Sequence, residues 1–295
     1  MPRHGTGAWL HGRMQQRRGV LLALSAATLS GLSGVVAADA FEQVTPIQLA
    51  QFRNMVAAIV LGAVAYRRRQ TATGGRLGGL ALLGAVIAGV TLTYYWAIER
   101  LGVGPGVTVQ FLGPVLALMW MRLVQHRPLG GDAWAAAALA VAGTALVAGA
   151  TAASLDTIGV AAGLGAAVTL AAYLILGERL GRTLPGLTIG AYGFAVSALM
   201  LLVSTPIRLP VLDLVGWLEL AWIAVPGTAV TFMLLLGALR LTDPGRVGVA
   251  ATAEPVVAAA AAWVILGQSL APSQVVGGAA VVIAVAIAGR SAAIR

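Results

Sequence analysis

The residues best equipped for chemistry in this chain are single polar groups set in long apolar runs. Glu254 stands in the run from Val247 to Gly267 and is followed by Pro255. A carboxylate in such surroundings is costly unless it is protonated, hydrated or paired. Pro255 has no backbone N–H, so it frees the carbonyl of Ala251. A carboxylate beside a loosened helix turn can hold a substrate ammonium or a proton. It can also serve as a structural group bonded across a helix interface. The rarity of ionisable groups at membrane depth favours the functional role. Arg53 is the cation within the run Pro46–Tyr66. Its guanidinium suits a substrate carboxylate. It suits outward snorkelling or bonds to backbone carbonyls at least as well, and that structural role is the favoured one.

Tyr95 shares a helical face with Thr91 by i, i+4 spacing, and Tyr173 does so with Thr169. A tyrosine hydroxyl in an apolar helix needs a partner, so these rings are candidates to line a partly wet cavity; plain packing or an interface belt is the alternative. Pro114, Pro226 and Pro255 interrupt three apolar runs near their centres. They free the carbonyls of Gln110, Trp222 and Ala251. Acceptors freed at mid-depth are tolerated where they line a cavity or meet a neighbouring helix. Ordinary kinks are the competing explanation for each proline taken alone.

The elements that position these groups follow from composition. Of 295 residues, 59% are hydrophobic and only 10% charged, with mean hydropathy +0.90. Soluble domains carry about 25% charged residues, too many for this chain to resemble one. Soluble enzymes, nucleic-acid binders and disordered chains are excluded, and an integral membrane protein is expected. A helix needs about 20 apolar residues to cross a hydrocarbon core of about 30 Å. Ten such spans are read: Gly19–Ala37, Pro46–Tyr66, Leu77–Ile98, Gly104–Leu123, Ala133–Ala150, Thr157–Gly177, Gly186–Ser204, Gly216–Leu239, Val247–Gly267 and Pro272–Ala288. Strands of a barrel would alternate over about 10 residues, so a β-barrel is excluded.

All 19 basic residues are arginine. With the N-terminus inside, 16 of them fall on the inner side, only Arg100 and Arg208 fall outside, and Arg53 lies within a span. Asp39, Glu42, Glu99, Asp156, Asp213 and Glu219 fall outside. The positive-inside rule therefore places both termini in the cytoplasm and the chain in the cytoplasmic (inner) membrane. The net charge of +9 is topological, with attraction to anionic lipid heads as its by-product. In this frame Glu254 lies about 11 Å from the inner edge and Arg53 about 10 Å from the outer one, at 1.5 Å per residue. They are expected near opposite faces, without a direct pair. The N-terminal arginines, apolar stretch and Ala38-Asp39-Ala40 imitate a secretory signal. The first span is nonetheless expected to be retained, because it has a counterpart at Gly159–Thr169.

That counterpart belongs to a longer repeat. Gly113-Pro114-Val115-Leu116-Ala117 pairs with Glu254-Pro255-Val256-Val257-Ala258, and Arg100-Leu101 with Arg240-Leu241. The chain reads as two five-helix units, residues 1–150, opening with a short basic segment, and 151–295. Five is odd, so the second unit is inverted. Inverted repeats with a mid-membrane site between them are a transporter architecture. The repeat also gives Pro114 and Pro255 a shared role in gating or cavity lining.

The segment Tyr94-Tyr95-Trp96-Ala97-Ile98, then Gly106-Val107-Thr108-Val109-Gln110-Phe111-Leu112-Gly113-Pro114, resembles the first half of an EamA-type permease of the drug/metabolite transporter superfamily. Ala238-Leu239-Arg240-Leu241, Ala253-Glu254-Pro255-Val256 and Ile265-Leu266-Gly267-Gln268 resemble its second half. The resemblance implies ten helices in two inverted repeats around a central cavity. It also implies movement of amino acids, metabolites or toxic compounds, often outward. The Gly-x-x-Val-x-Phe-x-Gly-Pro segment is closest to the threonine and homoserine exporters. The sequence departs from the family at Gln268, where an acid is frequent, at the corresponding Arg127, and at Gln110, where the amino-acid exporters commonly carry an acid. Gln110 joins the substrate-binding or coupling candidates on that ground.

The expected function is secondary transport of small metabolites, amino acids among them, outward by alternating access, with proton or other ion coupling. The alternatives are a lipid-modifying membrane enzyme and a non-transporting scaffold subunit. The absence of cysteine and lysine removes thiolate sites, cysteine nucleophiles, Schiff-base chemistry and the P-loop lysine. His4, His11 and His126 lie outside the apolar runs. No catalytic residue, metal or cofactor is expected. The partners are a small-molecule substrate and the lipid bilayer, with no nucleic acid.

Overall fold

The structure, a computed structural model, describes residues 5–40, 43–70, 76–101, 103–149, 156–204, 206, 212–267 and 269–290. Among these, regular structure is entirely helical. Nine helical stretches are long and apolar enough to cross a membrane, and Gly131–Val147 is a shorter apolar helix. Its 17 residues span about 25 Å, the lower limit for a crossing. Counting it, the ten expected spans are all present.

Their limits follow local chemistry. The first helix runs Gly5–Ala40, well beyond the expected Gly19 start, because the arginine-rich segment continues the helix instead of ending it. The second, Pro46–Arg67, opens on a capping box: Thr45 N–H donates to Gln48 Oε1 at 2.9 Å while Gln48 N–H donates back to Thr45 Oγ1. The third is Leu77–Leu101. The fourth consists of two helices, Val103–Gln110 and Gly113–Leu123, separated just before Pro114. The sixth, Thr157–Gly181, is capped by Asp156, and the seventh is Gly186–Ser204.

The eighth span passes from Leu214–Ala224 through a π-helical turn, Val225–Val230, into Thr231–Leu241. Pro226 causes the wide turn, and Thr228 and Thr231 hydroxyls donate to the carbonyls of Ile223 and Pro226 at 2.8 and 3.0 Å. The ninth is split at Thr252 into Pro244–Ala251 and Ala253–Leu266 and ends on Gly267 at φ +66°, a left-handed cap. The tenth is Pro272–Arg290.

Packing follows the repeat. The first span lies on the eighth as the third lies on the sixth, and the first on the ninth as the fourth on the sixth. The second and seventh, the fourth and ninth, and the fifth and tenth pair with each other. These contacts are what an axis relating two inverted halves requires. Small residues allow close approach. A Cβ on Gly143 would meet the Gly277 carbonyl at 2.7 Å, and one on Gly277 would meet the Gly143 carbonyl at 2.6 Å. The second and seventh spans are joined by polar bonds instead: Gln51 donates to the Leu201 carbonyl at 3.0 Å and Ser197 to Asn54 at 3.2 Å. Leu21, Ile59, Val203 and Val264, among others, are exposed and face outward, as a lipid solvent demands.

Candidate functional site

A cavity of about 570 Å³ lies between the two halves. It extends from the bundle centre toward the face opposite the arginine-rich one, since its walls use the far end of the first span (Ser30) and the near end of the second (Arg53). Of the candidates named from sequence, Glu254, Gln110, Tyr95, Tyr173, Arg53, Pro114 and Pro255 all line it. Pro226 does not. It sits in the π-turn whose next residue, Gly227, does.

Glu254 is the second residue of the helix Ala253–Leu266, in the first turn, where the positive end of a helix favours a carboxylate. The Ser30 hydroxyl donates to it, and Arg53 acts on it electrostatically. Arg53 and Glu254, expected to form no direct pair, line one cavity. The ninth span begins at Pro244, three residues before the expected start. Arg53 is half-buried, and its Nε has no hydrogen-bond partner. It lines the cavity, on the wall of the bundle interior. Neither residue belongs to an ion pair within 4 Å among the described residues.

Thr91 and Tyr95 both line the cavity, and the Thr91 hydroxyl is satisfied by the Ile87 carbonyl at 3.0 Å. Tyr173 is buried, packs edge-on to Phe232 at 5.2 Å, and its hydroxyl has no partner. Thr169 donates to its own helix at Gly165 and is not part of the wall. Gln110 closes the first half of the broken fourth span. Gln268 lies outside the described residues. Ser30 and Tyr94, both on the wall, went unrecognised in the sequence. A serine in an apolar helix usually bonds its own backbone, and Tyr94 adjoins a tyrosine already assigned to the face.

A second cavity, about 320 Å³, opens on the arginine-rich side among the fourth, fifth and ninth spans. The two are separated where the fourth span crosses the ninth: a Cβ on Gly248 would lie 2.8 Å from Pro114, and one on Gly245 would overlap Leu118. Arg127 borders this second cavity. It meets Glu178 through both guanidinium nitrogens at 3.0 and 3.1 Å, and Arg182 adds a third contact at 2.9 Å. The loop after the fourth span is thereby tied to the sixth span of the other half.

Two helical repeats packed about a pseudo-twofold, with a polar-studded cavity between them, define a membrane transporter. The chain belongs to the EamA-like transporter family, which matches it twice, at residues 17–149 and 157–290. The resemblance to permeases of the drug/metabolite transporter superfamily thus holds in both halves, and the relatives are transporters and not enzymes. The uncharacterized transporter YwfM of Bacillus subtilis is 28% identical over 274 residues, covering 87% of this chain and 88% of that protein. The threonine/homoserine exporter RhtA of Escherichia coli K12 is 25% identical over 215 residues, 70% of this chain and 68% of that one. A solved crystal structure superposes with TM-score 0.77 at 20% identity, over 92% of this chain and 96% of its own, which speaks to the fold.

Proposed function

We propose that this transporter carries small polar or amphipathic metabolites, amino acids among them, outward across the cytoplasmic membrane by alternating access. Both termini lie in the cytoplasm, and the two working halves are residues 1–150 and 151–295. The observation that carries this reading is the cavity at the repeat interface, with Glu254 on its wall. The 16-of-19 arginine bias supports the orientation. The similarity to an exporter named for threonine and homoserine supports direction and substrate. Glu254, Gln110, Tyr95, Tyr173 and Arg53 bind or couple, while Pro114, Pro226 and Pro255 act as hinges. The chain carries no nucleotide-binding motif, and the movement draws on an ion gradient, exchange or facilitated flow.

A solute screen comparing efflux from cells with and without the protein tests the transport reading. Glu254→Gln tests the coupling: it keeps shape and hydrogen bonding but cannot titrate. The variant, reconstituted at matched abundance, is expected to lose gradient-driven flux and its pH dependence while retaining exchange between equal pools. An unchanged pH profile would make Glu254 a packing residue.

A further inference from the structure

We propose that the cavity of about 320 Å³ on the arginine-rich face is the shut inner mouth of the transport path, and that Leu118 and Leu174, seated on Gly245 and Gly248 of the ninth span, are the seal that keeps it shut. The proposal rests on the transport reading and identifies the side chains that decide which face is open.

Little parts the two cavities. Pro114 and Gly248 line the central one. Leu118 and Gly245, one helical turn nearer the arginine-rich face, line the inner one. A turn rises only about 5 Å. The turn is tightly filled. A Cβ on Gly245 would overlap the Leu118 side chain, and one on Gly248 would lie 2.8 Å from Pro114 and 3.2 Å from Leu174. Both leucines are buried although a cavity lies beside each.

The repeat shows what the inner cavity is. At the spacing that relates Pro114 to Pro255, Leu118 and Met121 correspond to Ala259 and Ala262, and Val147 corresponds to Ala288. Leu118, Met121 and Ala288 line the inner cavity. Their counterparts Ala259, Ala262 and Val147 all line the central cavity. The same wall thus occurs twice, open in one half and closed in the other, as inverted repeats allow.

The two seals are unequal. Leu118 has Ala259 as its counterpart, and at the spacing that matches the first span to Gly159–Thr169, Leu174 has Gly34. A Cβ on Gly34 would meet nothing within 4 Å. Gly245 corresponds to Gly104, so a glycine receives the plug on either side. Two leucines bury more apolar surface than an alanine and a glycine, so the inner seal closes better than the outer. The open central cavity on the far face agrees with that inequality.

The chain has no cysteine, so a single Ala251→Cys reports on the central cavity. Ala251 and its counterpart Gln110 both line it, so the reporter stays on the wall whichever face is open. A small charged methanethiosulfonate that does not cross membranes is added to right-side-out and to inside-out vesicles at matched protein abundance. The parent is expected to react about tenfold or more faster from the face opposite the arginine-rich one. Ala259→Leu enlarges the outer plug at a position on an open cavity wall, and is expected to cut that preference by about tenfold. Leu118→Ala combined with Ala259→Leu exchanges the seals and is expected to reverse the preference. A preference unchanged by Ala259→Leu overturns the proposal. So does a parent that reacts equally from both faces, or a combined variant that reacts fast from both, since that seal is broken and not exchanged. Where the combined variant does not accumulate, Ala259→Leu decides alone. Labelling needs no substrate, so it stands apart from the efflux screen: exchanged labelling in a protein that moves no solute keeps the seal and removes the transport reading.

Discussion

Asp156 caps the sixth span, accepting from the Gly159 N–H at 3.0 Å and pairing with Arg100 at 3.2 Å. The backbone bond, reinforced by the arginine, holds its carboxyl below the ordinary value of 3.8. A carboxyl that ionises more readily in the native state than in the unfolded chain stabilises the fold above the unfolded pKa. That contribution fades as the pH falls through the lower native value. Asp156→Asn retains a capping oxygen and loses the charge. It is expected to melt below wild type at neutral pH, with the two curves converging as the pH falls below about 4. A gap in melting temperature that stays constant from pH 7 to pH 3 would refute the ionic contribution. At this scale the sequence was informative wherever a charge interrupted an apolar run, as at Glu254 and Arg53. It was silent where the role depends on a partner from another helix. Nothing local distinguishes Ser30, which meets Glu254, from Ser25, which donates to its own helix at Leu21.

The breaks in the fourth and ninth spans occupy equivalent places in the repeat, at Phe111-Leu112 and at Thr252, each shortly before a proline. Proline spacing made both legible. The π-turn was not, because nothing local to a proline tells a kink from a widened turn. In this turn the hydroxyls of Thr228 and Thr231 donate to the carbonyls of Ile223 and Pro226. Thr228→Val removes a buried donor to the Ile223 carbonyl and is expected to cost about 1–2 kcal/mol, read from a denaturation midpoint. Pro114→Ala and Pro255→Ala restore a backbone donor and stiffen the two crossing helices. If rocking of one half on the other limits turnover, flux is expected to fall about tenfold for each 1.4 kcal/mol added to that step, with abundance little changed. Wild-type rates in both variants would reduce the prolines to packing features.

For the molecule as a whole, the arginine distribution sets the expected topology. Cytoplasmic reporters fused near Arg69, Arg182 and Arg295 are expected to be active, as are periplasmic reporters near Asp39, Asp156 and Asp213. A periplasmic reporter active at Arg295 would contradict the ten crossings. The two-repeat plan was readable because residues such as Gly113-Pro114 and Glu254-Pro255 recur at a fixed offset. That Arg53 and Glu254 line one cavity was not, because it depends on how the second and ninth spans pack together, which nothing local in either span encodes.

The pairing of spans has one more consequence. The contacts across the axis map onto themselves when the halves exchange conformations, whereas the first-on-eighth and third-on-sixth contacts trade places. Under the alternating-access reading, such a chain holds its second conformation in its own other half, and the two would be equal in free energy if the halves were identical. The resting bias of the empty protein is therefore written in the residues that break the symmetry. The grip of Arg127 and Arg182 on Glu178 is one of these, since Leu270 in the second half pairs with Leu129 yet the position matching Arg127 holds Gln268. Changes at such positions would move the balance between the two conformations without touching anything that contacts the cargo.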